Sequence, residues 1–494
     1  MRMQPWIALL LLSSFEAAVA PAGEGQTPEA AVFHVDPAGD DAGPGSMEQP
    51  WRTVQHAADT AGAGSKVLIH AGTYPGGVAY GISGKPGSPI LFAGPEDGTA
   101  TVQGALELRP GISHLRLTRL TVRGFSDWGI TLHGSNRHIE LTHLTVIGGE
   151  AGVRLTWGDS GQEPQDGPVS DIVLAHSLIR DALYTAVDCT PGPCDRMIFR
   201  DLEITGAGLA GEDSFGADGL AVERGQEILV EDCFIHDNGG DGIDLNSRDR
   251  NGNVYGILVR RNRVVRNHLN GIKLSAGGRM ENNAIWGQGD TAVVIGELPG
   301  TYELANNTVA YNMYAAGFGG RNYALVAAYP SDDTGVSAST RLILRNNIFA
   351  FNGGPAHGDP TGIYIGRGVR WLREGNNLFW SRPDEEILWE TPSGARELSR
   401  TDVATSPRRS TAAWLKELQS ASSRAEVATS VWSGVNGGRD LAADPRFVSG
   451  WPDVDLHLRE GSPAIDAGAS RDAPPTDLDG KPRGARPDLG AYEH

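Results

Sequence analysis

Gly240-Asp241-Gly242-Ile243-Asp244-Leu245, followed by Asn270-Gly271-Ile272-Lys273-Leu274, decides how this chain is read. The same order, a polar residue, Gly, an apolar residue, any residue, an apolar residue, occurs earlier as Asp218-Gly219-Leu220-Ala221-Val222. Three copies on three successive turns of one coil put Gly219, Gly242 and Gly271 one above another. Neighbouring strands lie ~5 Å apart. Asp218 is therefore expected under Asp241, and Asp244 beside Lys273. Three carboxylates and one amine fall in one patch, which is the candidate active site.

The flanking sequence repeats in the same way. His114-Leu115-Arg116-Leu117-Thr118-Arg119-Leu120-Thr121-Val122 returns as His138-Ile139-Glu140-Leu141-Thr142-His143-Leu144-Thr145-Val146, with looser copies from Asp171, Arg196, Glu227 and Gly256. Strands of constant length at variable offsets mean that insertions are confined to loops. Asn282-Asn283, Asn306-Asn307, Asn346-Asn347 and Asn376-Asn377 continue a series begun by Arg261-Asn262. Stacked asparagines hydrogen-bond along a coil axis as a ladder. These features predict an all-β fold, a right-handed parallel β-helix solenoid of roughly ten coils over residues 67–385. A propeller would need four antiparallel strands per blade and a longer period. An N-terminal cap region, residues 21–66, carries a short amphipathic helix with Val54, Ala57, Ala58 and Ala61 on one face, and Lys66–His70 is read as the first strand. Residues 386–494 form a small C-terminal module with a short helix over Thr411–Gln419.

The formal charge of −19 over 494 residues argues against nucleic acid and anionic membrane as partners, because the whole-protein field repels polyanions. Locally the sign reverses. Arg248, Arg250, Arg260, Arg261, Arg263, Arg266, Lys273 and Arg279 stand against one acid, Asp249, and an anionic polysaccharide is the expected partner of a monomeric chain. Taken singly, each of these arginines reads as part of a solvated outer face. Residues 1–20 have Arg2, an apolar run from Trp6 to Leu12 and a small-residue site at Ala18-Val19-Ala20, the pattern of a secretory leader. The run is too short for a membrane span. The protein is thus expected to be secreted, extracellular or periplasmic or at the cell surface. Cys189 and Cys194 flank a Pro-Gly-Pro loop suited to a disulfide, and Cys233 reads as a buried thiol.

A lone Asp-Gly most often supports a turn, so the site reading rests on the coincidence of three acids with Lys273. There the sequence resembles the pectate lyases of polysaccharide lyase family nine, through Gly240-Asp241-Gly242-Ile243-Asp244 and Asn270-Gly271-Ile272-Lys273-Leu274 and through the stretch from His34 to Tyr74. The resemblance implies Ca²⁺ as cofactor, with Asp218, Asp241 and Asp244 as its ligands and Lys273 as catalytic base. Gly240 stands where that family has the first aspartate of its pair, so the calcium site is expected to be weaker, completed by Asp237 or Asp213, or absent. The implied reaction is β-elimination on a 4-linked uronic-acid polysaccharide, with Arg279, Arg248 and Arg250 holding substrate. A free lysine has a pKa of ~10.4; a neighbouring divalent cation and the arginines would lower it, whereas Asp244 alone would raise it. The segments from Asp444-Pro445-Arg446-Phe447 to Asp488-Leu489-Gly490-Ala491-Tyr492 resemble the choice-of-anchor Q module of exported bacterial β-helix proteins, and the lack of an apolar tail before His494 points to release or non-covalent retention.

Three other functions compete. A C5-epimerase of alginate-like polymers is suggested by Ile235–Gly242, which is similar to a mannuronan epimerase repeat, although an Asp-Pro-His motif is missing. A glycoside hydrolase would use carboxylates such as Asp218 and Asp244 at ~6.5–9.5 Å, but no Gly-His-Gly motif accompanies them. A non-catalytic surface protein would only bind polysaccharide. Trp128, Trp157, Tyr184 and Tyr255 are candidates for stacking on sugar rings, although single aromatics more often pack.

Overall fold

The computed structural model describes residues 31–155, 167–190, 192–209, 217–245, 254–275, 277–296, 300–312, 323–327, 340–352, 362–365, 369–380, 388–390, 440–441, 443–471 and 473–494. The expected leader, the Thr411–Gln419 helix, Arg248, Arg250, Asp213 and Trp157 lie outside them, as does the side chain of Tyr255.

Alternation builds the strands. In Ser113–Thr118, Leu115 and Leu117 are fully buried while Arg116 is exposed, and the same register carries Ile139 and Leu141, then Ile172 and Leu174, on successive coils. At period two one face is apolar, and stacking coils turns that face into a continuous core. Among the described residues the coil strands pair in parallel: a sheet of twelve strands runs from Val78–Tyr80 to Leu388–Glu390, and a larger one wraps the other faces. The chain is a right-handed parallel β-helix.

One of the bend columns of the larger sheet takes one residue from each of successive coils. Arg119, His143, His176, Asp201, Asp232, Arg261, Asn282, Asn306, Asn346 and Asn376 all have φ between 49° and 59°. This left-handed conformation is uncommon outside glycine but tolerated by Asn and Asp. The residue after each bend turns inward, and from Asn262 onward it is asparagine. Asn262, Asn283, Asn307, Asn347 and Asn377 form a fully buried ladder: Asn283 Nδ2 donates to Asn307 Oδ1 at 2.9 Å and to the Val259 carbonyl at 2.9 Å, and Asn307 Nδ2 donates to Asn347 Oδ1 at 3.0 Å. Within each Asn-Asn pair the first residue therefore makes the bend and the second makes the ladder. A second buried ladder, not anticipated, runs through Asn238, Asn267, Gln288, Asn312 and Asn352 at the next corner.

At the N-terminal end, Val32–Val35 pairs in parallel with Lys66–Ile69, so the strand series begins earlier than Lys66. The helix Val54–Thr60 buries Val54, Ala57 and Ala58, and Thr53 caps it by accepting from the His56 N–H at 3.1 Å. The C-terminal segment, with an antiparallel hairpin of Phe447–Ser449 and Asp455–Leu458, docks on the larger sheet. Leu489, Ala491 and Leu478 join Tyr311, Ile348 and Leu378 in a second apolar cluster. The bend asparagines bind its backbone: Asn282, Asn306, Asn346 and Asn376 donate through Nδ2 to the carbonyls of Thr476, Asp488, Ala469 and Ala467.

Candidate active site

The twelve-stranded sheet positions the site. Ile243–Leu245 pairs with Ile272–Leu274 so that Asp244 is in register with Lys273, and Asp244 follows Ala221 on the coil before. Ile243, Leu245, Ile272 and Leu274 are buried in the core, so Asp244 and Lys273 project from the outer face. The preceding glycines stack because the coil is tight there. A Cβ on Gly219 would lie 2.6 Å from Ile235, and one on Gly242 would lie 2.5 Å from Val264. Only glycine fits that approach. The residue before each glycine then forms its own column of Asp218, Asp241 and Asn270.

This column is tied by backbone hydrogen bonds. Asp218 Oδ1 accepts from the Asp241 N–H at 2.7 Å, and Asp241 Oδ1 accepts from the Asn270 N–H at 2.7 Å and from Asn270 Nδ2 at 2.8 Å. Lys273 Nζ lies 2.8 Å from Asp241 Oδ2 and 3.1 Å from Asp244 Oδ2. Asp218, Asp241, Asp244 and Lys273 are thus brought together, as the repeat register implies. The Lys273 side chain keeps 20% of its surface exposed, enough to meet a ligand from outside.

Burial sets the electrostatics. Burial raises the Asp218 carboxyl well above the usual carboxylate range, and the charges of Asp241 and Asp244 push the same way. Burial alone would lower the Lys273 amine, but Asp244 and Asp241 outweigh it and hold the ammonium above the ordinary lysine range.

The other expected residues sit elsewhere. Arg279 belongs to Gly278–Glu281 in the larger sheet and pairs with Glu281 at 2.6 Å, so it is not brought to Lys273. Asp237 is held by Nε and Nη2 of Arg266, at 2.7 and 2.6 Å, and by His236 at 2.6 Å, and does not complete the acidic set. The basic island divides into ion pairs on the larger sheet: Arg260 and Arg261 with Glu231, Arg263 with Asp479 and Arg266 with Asp237. Those arginines share their face with acids, which a count along the sequence does not reveal.

The donors do not fit the expected calcium site. Ca²⁺ takes six to eight oxygens, and among the described residues no group of three His, Cys, Asp or Glu side chains converges to hold a metal. The inward oxygens of Asp218 and Asp241 accept N–H groups, and the remaining face of Asp241 and Asp244 carries the Lys273 ammonium. The aspartate that Gly240 replaces has no room either, since a Cβ there would lie 2.5 Å from Asp218 Oδ1 and 2.8 Å from the Ala217 backbone.

The same outer column extends toward the N-terminus. Ala221 is in register with Asp188, and Asp188 with Arg154. Arg154 Nη1 contacts Asp188 Oδ2, its Nη2 donates to the Thr190 carbonyl at 2.9 Å, and its guanidinium lies 5.1 Å from the centre of the Trp128 ring. The Cys189–Cys194 disulfide adjoins this group, and Cys233 is a buried thiol. Arg154 and Asp188 carry no Asp-Gly signature; their only sequence signal is the register they share with Asp244.

Residues 128–309 match the model of the right-handed β-helix region family. The uncharacterized protein YwoF of Bacillus subtilis (strain 168) is 24% identical over 350 residues, covering 58% of this chain and 75% of that protein. Among solved structures, XylC in complex with xylose aligns over 94% of this chain and 98% of its own, at 11% identity and a TM-score of 0.50. Pectate lyase Pel9A aligns over 94% and 96%, at 12% identity and a TM-score of 0.40. At these identities the likeness is one of fold.

Proposed function

We propose that this chain cleaves an acidic, uronate-containing polysaccharide by β-elimination at the outer face of the twelve-stranded sheet, with Lys273 as the residue that takes the proton. The observation that supports this reading is a partly exposed amine on that face, 2.8 and 3.1 Å from Asp241 and Asp244, in a stretch that resembles a pectate lyase motif. In the reaction the neutral amine removes the C5 proton, the electron pair forms the C4–C5 double bond, and the C4–O bond breaks. The departing oxygen then takes a proton. The carboxylates position the amine but also oppose its neutral form, so activity is expected to rise into the alkaline range. Calcium enters no step of this proposal, because the donors do not fit it. Export to an oxidising compartment accords with the Cys189–Cys194 disulfide.

One observation favours a second reading, hydrolysis. A carboxyl pushed toward its acid form beside other carboxylates is the arrangement of an acid and base pair, and burial together with the charges of Asp241 and Asp244 pushes Asp218 up. The purified protein, incubated with a panel of polyuronates and neutral glycans, distinguishes them. Elimination gives an ultraviolet-absorbing unsaturated uronate together with new reducing ends. Reducing ends alone mean hydrolysis, and the proposal fails if no glycan is cleaved.

A further inference from the structure

Arg154 and Asp188 are placed on the outer face of the same sheet as Lys273, yet the reaction above does not use them. A buried ion pair contributes little net stability, because desolvation offsets the attraction. Burial raises the Asp188 carboxyl even though Arg154 and Thr190 work against that rise. The group is nonetheless built with care for position: Thr190 Oγ1 donates to Asp188 Oδ1 at 2.6 Å, the disulfide follows directly, and Trp128 lies under the guanidinium. Tyr184, half exposed, stands with Leu183 in the turn leading to Val187–Cys189. Between the two charged clusters the column carries only the methyl group of Ala221.

The spacing suits a polymer. From Lys273 through Asp244, Ala221 and Asp188 to Arg154 is four strand steps, about 19 Å at ~4.8 Å each. One residue of an extended 4-linked uronan is about one strand step long, so such a chain laid along the coil axis places a sugar on each coil. Its carboxylates then recur in step with the column. Arg154 has donors in a fork that suits a carboxylate, and aromatic faces stack on pyranose rings.

We propose that Arg154, with Trp128 and Tyr184, forms a distal subsite for a uronate residue of the same polymer that reacts at Lys273, about four sugars away. This rests on the uronate substrate proposed above. The test uses defined oligouronates of about two to eight residues, with turnover measured on the wild type and binding measured by calorimetry on Lys273→Ala. Affinity and kcat/KM are expected to step up about tenfold once the oligomer spans both clusters. In the double variant Arg154→Gln/Asp188→Asn, which removes both charges so that neither is left buried alone, the step disappears while circular dichroism and melting stay near wild type. Trp128→Ala gives a smaller step as a second check. If long and short oligomers differ equally in wild type and double variant, the subsite is wrong, even if elimination is observed. If no uronate is turned over but binding shows an Arg154-dependent step, the reaction is wrong and the subsite stands. Lack of binding at every length sinks both.

Discussion

Burial of Asp218 makes the stability of the fold depend on pH. The Asp218 pKa in the folded protein is raised from the ~3.9 of an unfolded aspartate. Above pH ~4 the folded state therefore binds more protons than the unfolded one, and by linkage this group's contribution to stability falls as pH rises toward the folded pKa. Asp218→Asn keeps an oxygen to accept the Asp241 N–H but cannot ionise. Thermal melts are expected to show little difference at pH 4 and a variant more stable than wild type at pH 7 to 8. A gap that shrinks with rising pH would mean that Asp218 is not held in its acid form. The acids and Lys273 were legible in the sequence because glycine marks their register. Arg279 was misplaced because residues close in sequence are parted by a corner of the coil, and Arg154 was missed because register, not a motif, brings it to the column.

The strands and corners explain why most of the fold was readable. Alternation such as Leu115 and Leu117 fixes which face is buried, and the Asn-Asn pairs mark one corner. The other corner was hidden, because its ladder includes Gln288 and its bend residues vary from Asp237 to Gly287 to Phe351. The ladders also make a quantitative claim. Asn307 Oδ1 accepts from both the backbone and Nδ2 of Asn283 at 3.0 and 2.9 Å, with no solvent exposure. Asn307→Ala strands those donors, and each unsatisfied buried group costs about 1–3 kcal/mol. Chemical denaturation is expected to report a loss of at least ~2 kcal/mol. Asn376→Ala removes one bond to the C-terminal segment, net ~1 kcal/mol. Equal losses in the two variants would contradict the ladder account.

For the molecule as a whole, the C-terminal segment covers part of the larger sheet, while the column of Asp244 and Lys273 lies on the twelve-stranded one. Apolar burial holds the segment in place more than charge does. Leu489 is fully buried, and Leu489→Ala should cost ~2–5 kcal/mol. The exposed Arg263–Asp479 pair is worth ~0–1 kcal/mol, so Arg263→Ala should melt close to wild type. Limited proteolysis of the two variants would show whether the segment detaches first in Leu489→Ala, as expected. The sequence announced this segment by its motifs but could not show its docking surface, because the contacts pair residues from distant parts of the chain, such as Asn282 with Thr476.

The proposed role of Lys273 as base is open to direct measurement. The most direct measurement is the rate of unsaturated uronate formation from a polyuronate, followed by ultraviolet absorbance across pH 5 to 11, for wild type, Lys273→Ala and Lys273→Arg. Because Asp244 and Asp241 hold the amine above the ordinary lysine range, the wild-type kcat/KM should climb with pH through about 10 without levelling near neutrality. Both variants should lose at least ~10²-fold, since alanine has no base and arginine stays protonated. A rate that levels off below pH 7, or that survives in Lys273→Arg, would contradict Lys273 as the base and pass that role to a carboxylate.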